Sequence, residues 1–265
     1  MRAPTSDAIG FLEKLRPGGP WVLTAIEPDG PAIDTITAHS PEHVAAFVEE
    51  FNGRRNLYYS VNPTRTALGK KASKTDVAWV EFALADLDPN AVETSDAGKR
   101  RYLDQLNGGS FQPRPDAAVD SGNGIQGLWR LEERIELGAP VIGKEGKLVF
   151  SPEDQGKIDD VETRVKAIML RLGAKPGPQN IDRILRLPGT TNLPNAKKRK
   201  EGRVACQTRL LWFCIGDENA IYLVGQLPLT LVDAAGLDRL VGSVYLYVEQ
   251  FFRPALHIGW ASRFS

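Results

Sequence analysis

The sequence predicts an α+β fold. Strand-like and helix-like segments are mixed along its 265 residues without the regular alternation that builds a parallel sheet. Two segments open on Ser-Pro and then carry an apolar stripe at helical spacing, one after Ser40 and one after Ser151. Between them, VAWVEFALADLDP (77–89) is a long apolar run that ends abruptly in acids, as a central strand does where it emerges into a polar site.

The bulk numbers bound this picture. Hydrophobic content of 42% and charged content of 25% are those of an ordinary globular protein, and the length suits one large domain or one and a half ordinary ones. Lys+Arg and Asp+Glu both total 33, so the net charge is zero. That balance argues against charge-driven nucleic-acid binding by the whole surface and leaves room for a local basic patch.

In chain order, a short N-terminal helix precedes WVLTAIEPDGPAIDTITA, two apolar runs about an Asp29-Gly30 turn that reads as a hairpin. The helix after Ser40 has Pro41 first, Val44, Phe47, Val48 and Phe51 as its stripe, and Asn52-Gly53 as its stop. LYYSVN (57–62) is a strand, and the loop behind it carries Arg65, Lys70, Lys71 and Lys74. After the run to Asp88 comes a helix near 95–107, then DAAVDSGNGIQGLWRL as strand, glycine turn and strand. Residues 138–150 read as an irregular or hairpin insertion.

The helix after Ser151 has Glu153 and Asp154 at its positive end, an apolar stripe from Ile158 to Leu172, and Gly173 as its stop. IDRILRLPG, a basic loop NAKKRKEGR and one strand RVACQTRLLWFCI follow. On that single strand Cys206 and Cys214 would stand roughly 26 Å apart at about 3.3 Å per residue, too far for a disulfide. The last 40 residues are apolar and expected to be helical, without an interpretable motif. The N-terminus lacks a signal peptide's apolar run, and residues 240–248 fall well short of the roughly 20 that span a membrane, so a cytoplasmic protein is expected. His39 and His43 do not share a helical face and His257 lies in the tail, which leaves no zinc site.

Three segments carry the chemistry. Asp86 and Asp88, two apart on a strand, project from one face, where their mutual repulsion calls for a cation; hard oxygen ligands select Mg²⁺ or Mn²⁺. Taken alone, Asp-x-Asp before a proline equally describes a solvated turn. In SGNGIQ (121–126), Gly122 and Gly124 allow close backbone approach, Ser121 and Asn123 offer donors, and successive N–H groups can form an anion-binding concavity; a plain hairpin turn has the same composition. In IDRILRLPGTTN (181–192), Asp182 offers a third carboxylate and Arg183 and Arg186 can clamp phosphates, although a surface salt-bridge pattern also fits. Together they are the inventory of two-metal phosphoryl transfer, with two ions about 3.5–4 Å apart. Lys197, Lys198, Arg199, Lys200 and Arg203 form a candidate DNA-phosphate patch, or a solvated loop.

In this order and spacing ADLDP (85–89), SGNGIQGLWRL and DRILRLPGTTNLPN (182–195), with RNLYYSVNP (55–63), resemble the archaeo-eukaryotic primase superfamily, in particular the RepB-like primase and primase-polymerase domains of plasmids, phages and integrated elements. The resemblance covers about residues 10–215. It implies an RRM-like core sheet with flanking helices (about 76–215) and an N-terminal α/β unit (about 1–75), with 216–265 left over. It also implies DNA primase or polymerase activity with two Mg²⁺ or Mn²⁺ ions, held by Asp86, Asp88 and Asp182. The 121–126 segment would take the incoming nucleoside triphosphate, DNA would serve as template or primer, and any helicase would sit on a separate chain. Gln126 stands where the family commonly has histidine; it can donate a hydrogen bond but carries no charge, so triphosphate binding should be weaker. The rivals are a non-catalytic replication-initiation module that binds DNA, and a nucleotide cyclase or nuclease.

Overall fold

The structure, a computed structural model, describes residues 4–107, 111, 113–175, 177 and 179–214. It is α+β, with two four-stranded antiparallel sheets and helices packed against them. Helix α1 (Pro4–Leu15) buries Ala8, Phe11, Leu12 and Leu15, the spacing that puts one stripe against a core. Strands β1 (Trp21–Ile26) and β2 (Ile33–Ala38) pair from Trp21↔Ala38 to Ile26↔Ile33, so the expected hairpin about Asp29-Gly30 is present. Helix α2 (Pro41–Phe51) starts where the Ser40 side chain accepts the N–H of His43, and buries Val44, Phe47 and Val48. It stops at Asn52 and at Gly53, whose φ of +80° is one that side chains disfavour. Strand β3 (Asn56–Ser60) pairs with β1 on one side and with β9 (Ile184–Arg186) on the other. The first sheet therefore draws a strand from far beyond residue 75, so the two expected sub-units share it.

The second sheet has the order β12-β5-β6-β4, from β4 (Trp79–Leu87), β5 (Ala117–Asp120), β6 (Ile125–Glu136) and β12 (Arg209–Phe213). Alternate residues of β4 enter two cores. Phe82 and Leu84 join Leu23, Tyr59 and Leu185 of the first sheet. Ala83, Ala85 and Leu87 join α3 (Ser95–Asn107) through Tyr102 and Leu106, and α4 (Pro152–Arg171) through Ile158, Val161 and Met169. Burial on both faces is why this strand reads as an unbroken apolar run. Asp86 falls on the same face as Phe82 and Leu84, the one toward the first sheet. The 138–150 insertion is a hairpin of β7 (Val141–Ile142) and β8 (Leu148–Val149). Helix α4 is capped by Ser151, which accepts the N–H of Asp154, as its sequence predicts.

Two expectations are corrected. The basic loop at 195–203 contains a short helix, α5 (Ala196–Lys200), because the Asn195 side chain accepts the N–H of Lys198 and caps it. The single strand at 203–215 is two, β11 (Cys206–Gln207), which pairs with β10 (Thr191–Asn192), and β12, which pairs with β5. Thr208 divides them: its buried hydroxyl sits between the carbonyls of Leu187 (2.7 Å) and Thr190 (2.9 Å) and accepts the N–H of Thr190 (3.0 Å). Cys206 accordingly lies on β11 and Cys214 just past the end of β12, and both thiols are free. Among the described residues no helix is long and apolar enough to cross a membrane. The helix expected over the last 40 residues, and His257, lie outside the described residues.

Candidate active site

At the end of β4 the two sheets part around a cleft of about 310 Å³. Asp86 and Asp88 line it, as their shared strand face requires, together with Ser121 and Asn123 from the β5–β6 turn and Gln126 of β6. The opposite wall is Tyr58 of β3 with Arg183 and Arg186 of the β9 segment. With Lys71, Lys198 and Arg203, the described lining holds five cationic side chains around two carboxylates. The cleft thus has a surplus of positive charge.

The two carboxylates differ in state. Asp86 is held on both oxygens: Oδ2 accepts from Arg183 Nη2 at 2.9 Å, and Oδ1 accepts from Gln126 Nε2 at 3.2 Å. The Asp88 carboxylate makes no hydrogen bond or ion pair among the described residues, while its backbone carbonyl is fixed by the Tyr102 hydroxyl at 2.9 Å. Burial and then the neighbouring Asp86 push the Asp88 carboxyl above its ordinary value, against the pull of Lys198, Arg203 and Arg183. A pair of carboxylates with one oxygen set open fits a hard divalent cation, which takes one or two carboxylates and fills its other positions with water and phosphate oxygens.

Asp182 does not join them. It is absent from the cleft lining, and the charges acting on its carboxyl, raised chiefly by burial, are those of Lys74, Lys71 and Glu162. Among the described residues no three His, Cys, Asp or Glu side chains are grouped to hold a metal. The reason is local. The chain turns before β9, with the N–H of Arg183 bonded to Asn180 O at 3.0 Å, and Arg183 is the side chain that enters the cleft.

The glycine turn is built differently from its sequence reading. A Cβ on Gly124 would lie 2.5 Å from the Leu87 carbonyl oxygen, and one on Gly122, where φ is +96°, would lie 2.4 Å from Cys206 Sγ. The glycines let the turn pack on its own chain. Its N–H groups are largely committed: Ser121 N–H to Gly124 O (2.9 Å), Gly122 N–H to Asp120 Oδ1 (2.8 Å) and Gly124 N–H to Ser121 Oγ (3.2 Å). The expected backbone anion cradle is therefore not formed by these three groups. Gly124→Ala should destabilise the protein by about 1–3 kcal/mol, since backbone cannot yield as a side chain can. It should also lower activity by shifting Asp88, whose Cα is 3.3 Å from the same Cβ position. Urea denaturation and an activity assay on one preparation test both.

Gln126, only 3% exposed, is bonded at both ends of its amide: besides the Nε2 bond to Asp86, its Oε1 accepts the backbone N–H of Arg186 at 3.1 Å. It ties the second sheet to the first, and both bonds agree on its amide orientation. Free donors come instead from the arginines. Arg186 lies over the Tyr58 ring at 4.4 Å, and its Nη1 and the Nε of Arg183 are buried without a partner among the described residues. Buried N–H groups of this kind favour an anion.

The basic segment divides. Lys198 and Arg203 face the cleft, Arg199 is bound to Asp29 (2.7 Å) and to Pro194 O (2.8 Å), and Lys197 and Lys200 are exposed outside it. Sequence reasoning missed Tyr58, Lys71 and Asn192. Lys71 belonged to a visible basic loop, whereas Asn192, which donates to Ser121 O at 2.7 Å, gave no signal.

No family model matches the chain, and no curated protein matches it at a significant level. Solved structures do. The primase-polymerase AEP domain of cyanophage S-2L is 16% identical with a TM-score of 0.47, over 77% of this chain and 88% of that one. Primase RepB′ is 13% identical with a TM-score of 0.42, over 98% and 69%. The catalytic domain of primase RepB′ in complex with initiator DNA is 11% identical with a TM-score of 0.44, over 94% and 99%.

Proposed function

We propose that the chain is a divalent-metal-dependent nucleotidyltransferase of the primase-polymerase kind, joining nucleoside triphosphates on a DNA template. The observation that carries this reading is the open carboxylate of Asp88 beside Asp86, in one cleft with five cations and unpartnered guanidinium N–H groups. Asp86 and Asp88 would hold Mg²⁺ or Mn²⁺, which supplies charge neutralisation at the triphosphate and activation of the attacking hydroxyl. In a two-ion arrangement the second ion would draw its ligands mainly from the nucleotide. The chain's own work is positioning. Arg183, Arg186, Lys71, Lys198 and Arg203 hold phosphate oxygens, and Gln126 keeps Asp86 aimed into the cleft.

The test is incorporation of labelled dNTPs and NTPs on primed and unprimed single-stranded templates, with Mg²⁺ and with Mn²⁺. Template-dependent products that vanish with a chelator support the proposal. DNA binding without incorporation would favour the non-catalytic initiation module, and turnover without template a cyclase or nuclease.

The division of the basic segment adds a sharper expectation. Lys198→Ala and Arg203→Ala should raise the apparent KM for nucleotide. Lys197→Ala and Lys200→Ala should instead flatten the salt dependence of DNA binding, by about 0.7 in log–log slope per lost single-strand phosphate contact. Equal effects from both pairs would remove the distinction.

A further inference from the structure

Asp86 and Asp88 stand two residues apart, yet one is closed and the other open. Asp86 has Arg183 on one oxygen and Gln126 on the other; Asp88 has neither. The two partners of Asp86 are themselves unlike. Gln126 is 3% exposed and bonded at both ends of its amide, so it is a fixed tether. The Arg183 side chain is 34% exposed, bonds through Nη2, and leaves its Nε buried without a partner among the described residues. It is half-satisfied where it lies.

Resting on the nucleotidyl-transfer reading, we infer that Arg183 is an exchangeable latch on Asp86, released to a nucleotide phosphate, so that divalent cation and nucleotide bind cooperatively. A cation and a guanidinium compete for the same oxygen, Oδ2, and repel one another when both approach it. A partly exposed ion pair is weakly held and can be exchanged. A phosphate offers what the present contact lacks: two oxygens in the plane of the guanidinium fork, reaching Nε and a terminal nitrogen together. Arg186, with its own unpartnered Nη1 in the same cleft, adds a second donor for that anion. When Arg183 leaves, Gln126 still holds Oδ1 and keeps Asp86 in place. By linkage, nucleotide would then strengthen cation binding at Asp86 and Asp88 by the same factor as the cation strengthens nucleotide binding. Arg183 acts as a positioning residue that couples the two ligands.

The experiment measures Mn²⁺ binding by the loss of the free-ion EPR signal, with and without a non-hydrolysable nucleoside triphosphate analogue. Wild type, Arg183→Gln, Lys71→Gln and Asp88→Asn are compared. Arg183→Gln should bind Mn²⁺ alone about five-fold or more tightly than wild type, the lower range of an allosteric coupling. The extra tightening that the analogue gives should fall by a similar factor. Association of Mn²⁺ with the analogue in solution is common to both proteins and cancels in that comparison. Lys71→Gln removes a charge from the same cleft without touching Asp86, and should tighten Mn²⁺ much less. Arg183→Gln binding Mn²⁺ no better than wild type, or Lys71→Gln matching it, overturns the latch. Asp88→Asn should abolish binding in either condition. Unchanged Mn²⁺ binding by Asp88→Asn would instead overturn the metal site itself, and the functional reading with it.

Discussion

Asp88→Asn should abolish nucleotide incorporation while leaving the protein at least as stable as wild type at neutral pH, whereas Asp86→Asn should lose both activity and stability. The sequence alone treats the two acids as equivalent. In the structure Asp88 is a carboxylate raised by burial and by Asp86, with no partner to lose among the described residues. Removing its charge relieves both effects. Activity should fall by at least about 10²–10³-fold, the size of losing one preorganised electrostatic contact. The pH dependence has a definite sign. A raised carboxyl in the folded state binds its proton more tightly than the unfolded chain does, so its contribution to stability is full below the unfolded value and is lost as pH rises through the folded value. Wild type should therefore lose ground to Asp88→Asn across that window, upward from about pH 4. Asp86→Asn leaves Arg183 facing an amide. That change should cost about 1 kcal/mol, the low end for a charged hydrogen bond because water screens the partly exposed guanidinium. Denaturant titrations of the three proteins from pH 4 to 8 decide the matter. A destabilised Asp88→Asn with an unaffected Asp86→Asn would reverse the assignment.

Gln126→Glu should be the more damaging single change. The side chain keeps its shape, and one oxygen can still accept the N–H of Arg186. The other now faces Asp86 Oδ1, where a donor sat at 3.2 Å. Two carboxylates meet at a position that is 3% exposed. A loss of about 3 kcal/mol is expected, as for an unpaired buried charge, together with loss of activity. Burial and the like charge of Asp86 raise this carboxyl in the folded state, so the deficit should shrink as pH falls through that raised value and be gone by about pH 4, where the unfolded chain is protonated too. Gln126→His separates the two readings of this residue. From the sequence, a protonated imidazole would strengthen the phosphate contact, and the KM for nucleotide should drop below about pH 6.5. In the structure a protonated imidazole has no acceptor for the Arg186 N–H, so the tether between the sheets is lost as the ring charges. Activity should then decline below about pH 6.5, the opposite trend. Steady-state incorporation between pH 6 and 8 with Mn²⁺ held constant distinguishes them.

Local rules made much of this protein legible from its sequence. Ser40 and Ser151 cap the helices their side chains announce, and Gly53 and Gly173 take positive φ at the stops; the apolar run before Asp86 is a strand buried on both faces, although it lies at the edge of its sheet and not at the centre the sequence suggested. Each depends on residues within a turn or a strand repeat of one another, so pattern and propensity suffice. The shared face of Asp86 and Asp88 belongs to the same class. What only the tertiary structure decided is which distant groups meet them. Asp182 and Arg183 are neighbours with equal claims in the sequence, and the turn before β9 sends the arginine to Asp86 and leaves the aspartate near Lys71 and Lys74. Gln126 resembles a ligand-binding donor until both ends of its amide are seen to be taken. Gly122 and Gly124 suggest a cradle until the atoms filling the space beside them prove to be Cys206 and Leu87. Hydrogen-bond partners and excluded volume are set by the packing of strands and sheets, between residues 40, 60 and 97 apart in the chain, and no local pattern encodes such distances.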